Sequence, residues 1–295
     1  MHSEERRLSK RRLLLWNKRQ HVYQRSLNGP GNHRGFFIAE DQIEWSSKLN
    51  LEGKVAVITG AAVRIGRSMA LALAEAGCDI CIHYHTSKQD AEQTCAEIEQ
   101  RGRKSVAVSA DLSAPLQAAS EIIDAVVAEF GKVDILINSA SVFENKNLLT
   151  STEHDWDSHL DINLKAPFFL CQQFAEAFQP GQTGQIVNIV DWRALRAGVG
   201  HLPYRITKAG LVTLTECLSL ELAPAIQVNA IAPGAILPPP GQDASYLEKR
   251  AEHVPLKRAG NPQDICDALL YLLRSDFVTG EVLTVSGGEQ FSSGL

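Results

Sequence analysis

The sequence predicts an α/β fold, a single doubly wound parallel sheet with helices on both faces. Three observations carry this. From Lys54 onward, short apolar runs alternate with segments of helical periodicity. The runs are continuous in hydrophobicity, the pattern of strands buried on both faces. A glycine-bearing turn joins the first run to the first helix. Regular alternation of strand and helix gives a parallel sheet, and right-handed crossovers wind it to both sides.

The elements follow in order. KVAVITG (54–60) reads as a strand ending in glycine, and IGRSMALALAEAG (65–77) as a helix that stops at Gly77. DICIHYH (79–85) is a strand, KQDAEQTCAEIEQRG a helix, KSVAVSADL a strand, LQAASEIIDAVVAEFG a helix and KVDILINSA a strand. Helical segments then cover 152–178, followed by the strand GQIVNIVD, a long helix at 203–222 and the strand AIQVNAIAP. More helix and a last strand, VLTVSGG, close the series. No repeat of solenoid period is present.

Composition sets the class. The chain has 295 residues, 44% of them hydrophobic, enough for one large domain, expected over 51–295. Mean hydropathy is −0.10, and no apolar run approaches the roughly 18 residues of a membrane helix. A cytoplasmic protein with no membrane partner is expected. Residues 1–50 hold ten Lys/Arg against five Asp/Glu, whereas the rest holds 19 against 29. An acidic body argues against nucleic acid as the main partner, since phosphate needs a basic face. The basic first 50 residues read as a disordered extension, with a mis-assigned start, a transit peptide or an interaction arm as alternatives. Six cysteines without a secretory signal point to free thiols. Cys78, Cys81, His83 and His85 invite a metal reading, but alternation along a strand separates Cys78 from the others, so no metal is expected.

TGAAVRIG (59–66) lies between the first strand and the first helix. Its backbone amides and the helix dipole suit a phosphate, Gly60 permits the tight turn and Gly66 a close approach. In this position the turn reads as the dinucleotide site of a Rossmann-type fold, with Arg64 and Ile65 beside the ligand. The second strand ends in Tyr84, His85, Thr86, Ser87 and Lys88, with no acid to hold ribose hydroxyls. Arg64, Tyr84, His85 and Ser87 instead suit a 2′-phosphate, so the expected cofactor is NADPH. Asp111 and Leu112 follow the third strand, where Asp111 is placed for the adenine edge or caps a turn.

Tyr204 and Lys208 stand at i and i+4 and share a helix face. A nearby ammonium favours the tyrosinate, which predicts a lowered pKa for Tyr204 and a role in proton transfer. TGAAVRIG, the NSA of Asn138, Ser139 and Ala140, the Tyr204/Lys208 pair and Pro233-Gly234 together resemble the short-chain dehydrogenase/reductase family over about residues 53–290. The resemblance implies that these residues hold the cofactor, that Lys208 bonds the nicotinamide ribose, and that Asn163 joins a proton relay. It also implies a homo-oligomer, a dimer or tetramer, with a small-molecule substrate.

Most members place Ser where Asp191 stands. A carboxyl group beside a buried reaction site can donate a proton, which suits a C=N bond whose nitrogen gains one as hydride reaches carbon. With Asp191, IHYHTS (82–87) and NSASVF (138–143), the chain resembles the pteridine reductases and the related dihydromonapterin and dihydrofolate reductases. That resemblance implies reduction of a dihydropterin to a tetrahydropterin, with Phe143 stacking on the ring, Ser141 bonding its edge, and Arg64, Asp191 and Tyr204 also at the substrate. Phe143 as core packing, Ser141 as a turn residue, and Asp191 as a helix cap or partner of Arg193 or Arg196 are the alternatives. Two other functions stand beside it: a carbonyl reductase of the same family, for example on 3-oxoacyl thioesters, and a non-enzymatic NADP(H) sensor. The short, Pro-rich segment AILPPPGQD (235–243) predicts a more open or differently shaped substrate lid.

Overall fold

The computed structural model describes residues 49–178, 182–239 and 241–292. The basic extension expected over 1–50 lies, except for its last two residues, outside the described part. The Leu49 N–H donates to the Arg274 carbonyl, and Leu51 is buried in the core.

Seven parallel strands form one sheet among the described residues, in the order β3-β2-β1-β4-β5-β6-β7. They are β1 (Val55–Ile58), β2 (Asp79–Tyr84), β3 (Ser105–Ser109), β4 (Ile135–Asn138), β5 (Gly184–Ile189), β6 (Ile226–Pro233) and β7 (Val282–Val285). The helices are α1 (Arg64–Glu75), α2 (Lys88–Gln100), α3 (Pro115–Phe130), α4 (Glu153–Leu160), α5 (Ala166–Ala177), α6 (Leu202–Glu221), α7 (Ala244–His253) and α8 (Pro262–Arg274). All adjacent strands pair in parallel, with Ala56 opposite Ile80 on one side of β1 and Ile135 on the other.

Alternation along β1 divides the core. Ala56 and Ile58 face a cluster built with Met69 and Leu73 of α1 and Leu269 and Leu272 of α8. Val55 and Val57 face the opposite cluster, with Ile122 and Val126 of α3 and Phe174 of α5. This is the doubly wound α/β fold that the alternating pattern predicts. The strand order runs outward in both directions from β1 and β4, which opens a crevice past their carboxyl ends, where such sheets bind ligands.

One element differs from expectation. The segment DINLK is not a continuous α-helix; Asp161–Lys165 form a π-turn between α4 and α5. Such turns are frequent at functional sites, because they re-aim a side chain within a helical run.

Candidate active site

The crevice is a cleft of about 520 Å³, open to solvent. Of the residues singled out from sequence, Gly60, Arg64, Ile65, Gly66, His85, Asp111, Leu112, Ser139, Ala140, Ser141, Phe143, Asp191, Tyr204, Lys208 and Pro233 line it.

The glycine turn is compact. Gly60 has φ +65°, and a Cβ on Gly66 would lie 2.3 Å from the Gly60 carbonyl oxygen, so the backbone can close only with glycine there. Val63, the N-cap of α1, makes no side-chain capping bond. First-turn amides are therefore not consumed by a cap, and the turn fits a dinucleotide phosphate. Arg64 takes a left-handed conformation, φ 56°, and its guanidinium donates to the Pro238 carbonyl at 2.8 Å. It thereby ties the glycine turn to the loop after β6.

Two residues that sequence reading missed shape this turn. Thr59 Oγ1 accepts the Ser139 and Ala140 N–H groups at 2.9 and 3.0 Å. His83 Nδ1 accepts the Gly60 N–H at 3.2 Å, and its Nε2 lies 3.1 Å from the Ala110 carbonyl. Burial holds His83 down at about 4, so it is a neutral acceptor for the turn. The signal for Thr59 was its place directly before Gly60; for His83 it was its place on the strand face shared with Cys81.

Several expected cofactor residues make contacts within the protein. Tyr84 packs half-buried against the core. Ser87 is the N-cap of α2, with no side-chain bond to it. The Asn138 side chain turns inward and donates to Asn188 Oδ1 at 2.8 Å, joining β4 to β5. Gly234 packs against Ser286 and the Glu289 carboxylate. Asp111 lies 3.9 Å from His85 at the cleft and also accepts the Ser113 N–H at 2.9 Å, so it serves a turn.

At the inner end, the Tyr204 hydroxyl donates to Asp191 Oδ2 at 3.0 Å. Lys208 Nζ donates to the Ile189 carbonyl at 2.7 Å and lies 5.8 Å from the Tyr204 ring centre. The expected lowering of the Tyr204 pKa is not what the geometry gives. Burial and the adjacent Asp191 carboxylate push it well above the ordinary phenol range. The phenol is thus held in its protonated form. Burial also lowers Lys208 to about 8.

Asn163, expected in a relay, is fully buried. The π-turn aims its amide at the loop 141–142. Oδ1 accepts the Val142 N–H at 2.9 Å and the Ser141 hydroxyl at 3.1 Å, and Nδ2 donates to the Val142 carbonyl at 3.0 Å. The Ser141 hydroxyl is thereby engaged within the protein. Phe143 meets the Tyr204 ring edge-on at 4.7 Å, and His201 stacks on Phe143 at 4.3 Å. His201 was missed from sequence, since its contact spans 58 positions and no motif marks it. Tyr246 of α7 completes the wall.

Asp191 does more than face Tyr204. It caps a short 3-10 turn, Trp192–Leu195, and pairs with Arg193 at 3.2 Å. Trp192 is buried beneath this turn, with the Arg193 guanidinium 4.9 Å from its ring centre. Among the described residues no group of His, Cys, Asp and Glu is arranged to hold a metal ion.

A family model described as enoyl-(acyl carrier protein) reductase matches residues 60–290. The 3-oxoacyl-[acyl-carrier-protein] reductase FabG of Staphylococcus epidermidis is 35% identical over 240 residues, covering 80% of this chain and 98% of that protein. The FolM alternative dihydrofolate reductase 1 from Brucella canis, solved with NADP, superposes with TM-score 0.79 at 28% identity, covering 83% of this chain and 97% of that one. A short chain dehydrogenase from Burkholderia cenocepacia, also solved with NADP, gives 0.76 at 30% identity, covering 82% and 99%.

Proposed function

The chain belongs to the short-chain dehydrogenase/reductase family, and from that premise we propose that it reduces a flat, pterin-type heterocycle with NADPH, taking a dihydropterin to a tetrahydropterin. That it is an oxidoreductase, and not merely a sensor, follows from the family, and NADP is the cofactor of its solved neighbours. Bound in the cleft, NADPH supplies a hydride. Gly60, Ile65, Gly66 and the first turn of α1 would hold its phosphates, with His85 and Asp111 beside the adenosine end and Lys208 at the nicotinamide ribose. Tyr204, kept protonated by burial and by Asp191, would give its proton to the substrate. Phe143 offers an aromatic wall next to that proton.

The observation that carries the choice of substrate is the hydrogen bond from Tyr204 to Asp191, 3.0 Å long inside the cleft. A carboxylate there, where the family has Ser, gives the site a second proton-handling group. A ring C=N bond, whose nitrogen must be protonated, uses such a pair, whereas a ketone needs only the phenol and a hydroxyl. The FolM neighbour supports this reading.

A second reading, reduction of a 3-oxoacyl thioester or similar carbonyl, is favoured by the Arg193–Asp191 pair, which engages the carboxylate structurally, and by the FabG relative. The substitution Asp191→Ser separates the two. For the pterin reading, turnover of dihydrobiopterin should fall by about 10²-fold or more, the range of a lost acid–base group. Retention of pterin turnover in Asp191→Ser would remove Asp191 from the proton chemistry, and turnover of acetoacetyl thioester alone by the unaltered enzyme would favour the second.

A further inference from the structure

The orientation of Asp191 is set from two sides. Its Oδ1 accepts the Arg193 backbone N–H at 2.7 Å, and Arg193 Nη1 lies 3.3 Å from Oδ1 and 3.2 Å from Oδ2. Oδ2 is also the atom that receives the Tyr204 hydroxyl. Both side chains of the pair are 13% exposed, so the bond is screened far less than a surface pair.

Arg193 is itself held. Its carbonyl accepts from Arg205 Nη1 at 3.1 Å, and its guanidinium lies over Trp192 and 5.9 Å from the Phe143 ring centre. Burial opposes its charge, but the surrounding acidic groups, Asp191 and Glu289 first with Tyr204 and Tyr246, more than offset that. Glu289, buried beside Gly234, accepts the Ala235 N–H at 3.0 Å and bonds Arg250 of α7. The charges alternate, Arg250, Glu289, Arg193, Asp191, and end on the phenol.

We propose that Arg193 is a positioning residue, which fixes the Asp191 carboxylate in the one orientation that receives the Tyr204 hydroxyl and so places the proton donor in the cleft. It acts through Asp191. The inference rests on Tyr204 being the donor and holds for a ring or a ketone substrate alike.

The test is a double-mutant cycle on the full chain. Steady-state NADPH oxidation is followed with dihydrobiopterin, or with acetoacetyl thioester if that is what the unaltered enzyme turns over. The variants are Arg193→Ala, Asp191→Ala, the double variant and Arg193→Lys, with Tyr204→Phe as reference. NADPH fluorescence titration reports folding of each.

Each single substitution should lower kcat by about 10²-fold, the cost of misplacing a reacting group by an ångström, with little change in KM. The double variant should be no worse than the weaker single variant, because both remove one arrangement. Arg193→Lys should rescue only in part, since an ammonium cannot span two carboxylate oxygens as a guanidinium does. Independent losses that multiply to about 10⁴-fold would overturn the proposal. So would a raised KM with unchanged kcat in Arg193→Ala, which would make Arg193 a direct substrate contact. If Arg193→Ala does not bind NADPH, the cycle is run with Arg193→Lys and read by the same criterion of additivity. Full turnover by Tyr204→Phe would instead remove the donor assignment, a result distinct from additivity in the cycle.

Discussion

Tyr204 and Lys208 are legible as a pair from spacing alone, because i and i+4 share a helix face. What the spacing conceals is the sign of the effect on Tyr204. Burial is collective, and Asp191 approaches from another element, so the phenol is pushed up and not down. Lys208 carries the alkaline consequence. Burial lowers it from 10.5 to about 8, so its ammonium is lost as pH rises through that value, while Tyr204 keeps its proton. The kcat for reduction should therefore decline above pH about 8 with the loss of one proton. A profile flat up to pH 10.0, the ordinary phenol value, would contradict this. Asp191 was recognisable as a departure from the family pattern. Its engagement by Arg193, two residues on, was foreseen only as an alternative to chemistry, whereas the carboxylate both pairs with Arg193 and accepts the Tyr204 hydroxyl.

Strands and helices were readable because their hydrophobic periods are long and uninterrupted. The π-turn at Asp161–Lys165 was not, since it differs from α-helix by one inserted residue and leaves no compositional trace. That turn aims the Asn163 amide at loop 141–142, next to Phe143. Strand β2 shows a similar limit. Its alternation, with Cys81, His83 and His85 on one face, was apparent, but the bond from the Gly60 N–H to His83 depends on how β2 meets the glycine turn across the sheet. The pH consequence follows from linkage. His83 is held at about 4 in the fold, against an ordinary 6.5 for the unfolded chain, because burial disfavours its charge. Its contribution is complete above pH 6.5 and is lost as pH falls toward 4, where the unfolded chain binds the extra proton first. The Tm of the protein should drop across that window, and His83→Gln should shrink the drop. An unchanged Tm–pH curve in His83→Gln would show that His83 does not carry it.

At the scale of the whole molecule, the doubly wound order could be anticipated, and with it a ligand crevice at the carboxyl ends of β1 and β4. The shape of the crevice could not, because its walls come from loops whose packing no local pattern encodes. His201 on Phe143, Arg64 on Pro238 and Tyr246 of α7 each meet the site from distant sequence. Among the described residues no helix is long and apolar enough to cross a membrane. Homo-oligomer formation and a separate role for the basic first 50 residues stay as proposals from the sequence. The decisive measurement is NADPH oxidation by the full chain with dihydrobiopterin, dihydromonapterin, dihydrofolate and acetoacetyl thioester in parallel, against Tyr204→Phe as blank. Turnover of a dihydropterin that disappears in Tyr204→Phe is the expected result. Turnover of the thioester alone would mean that Asp191 is a structural replacement for Ser and that the cleft reduces ketones.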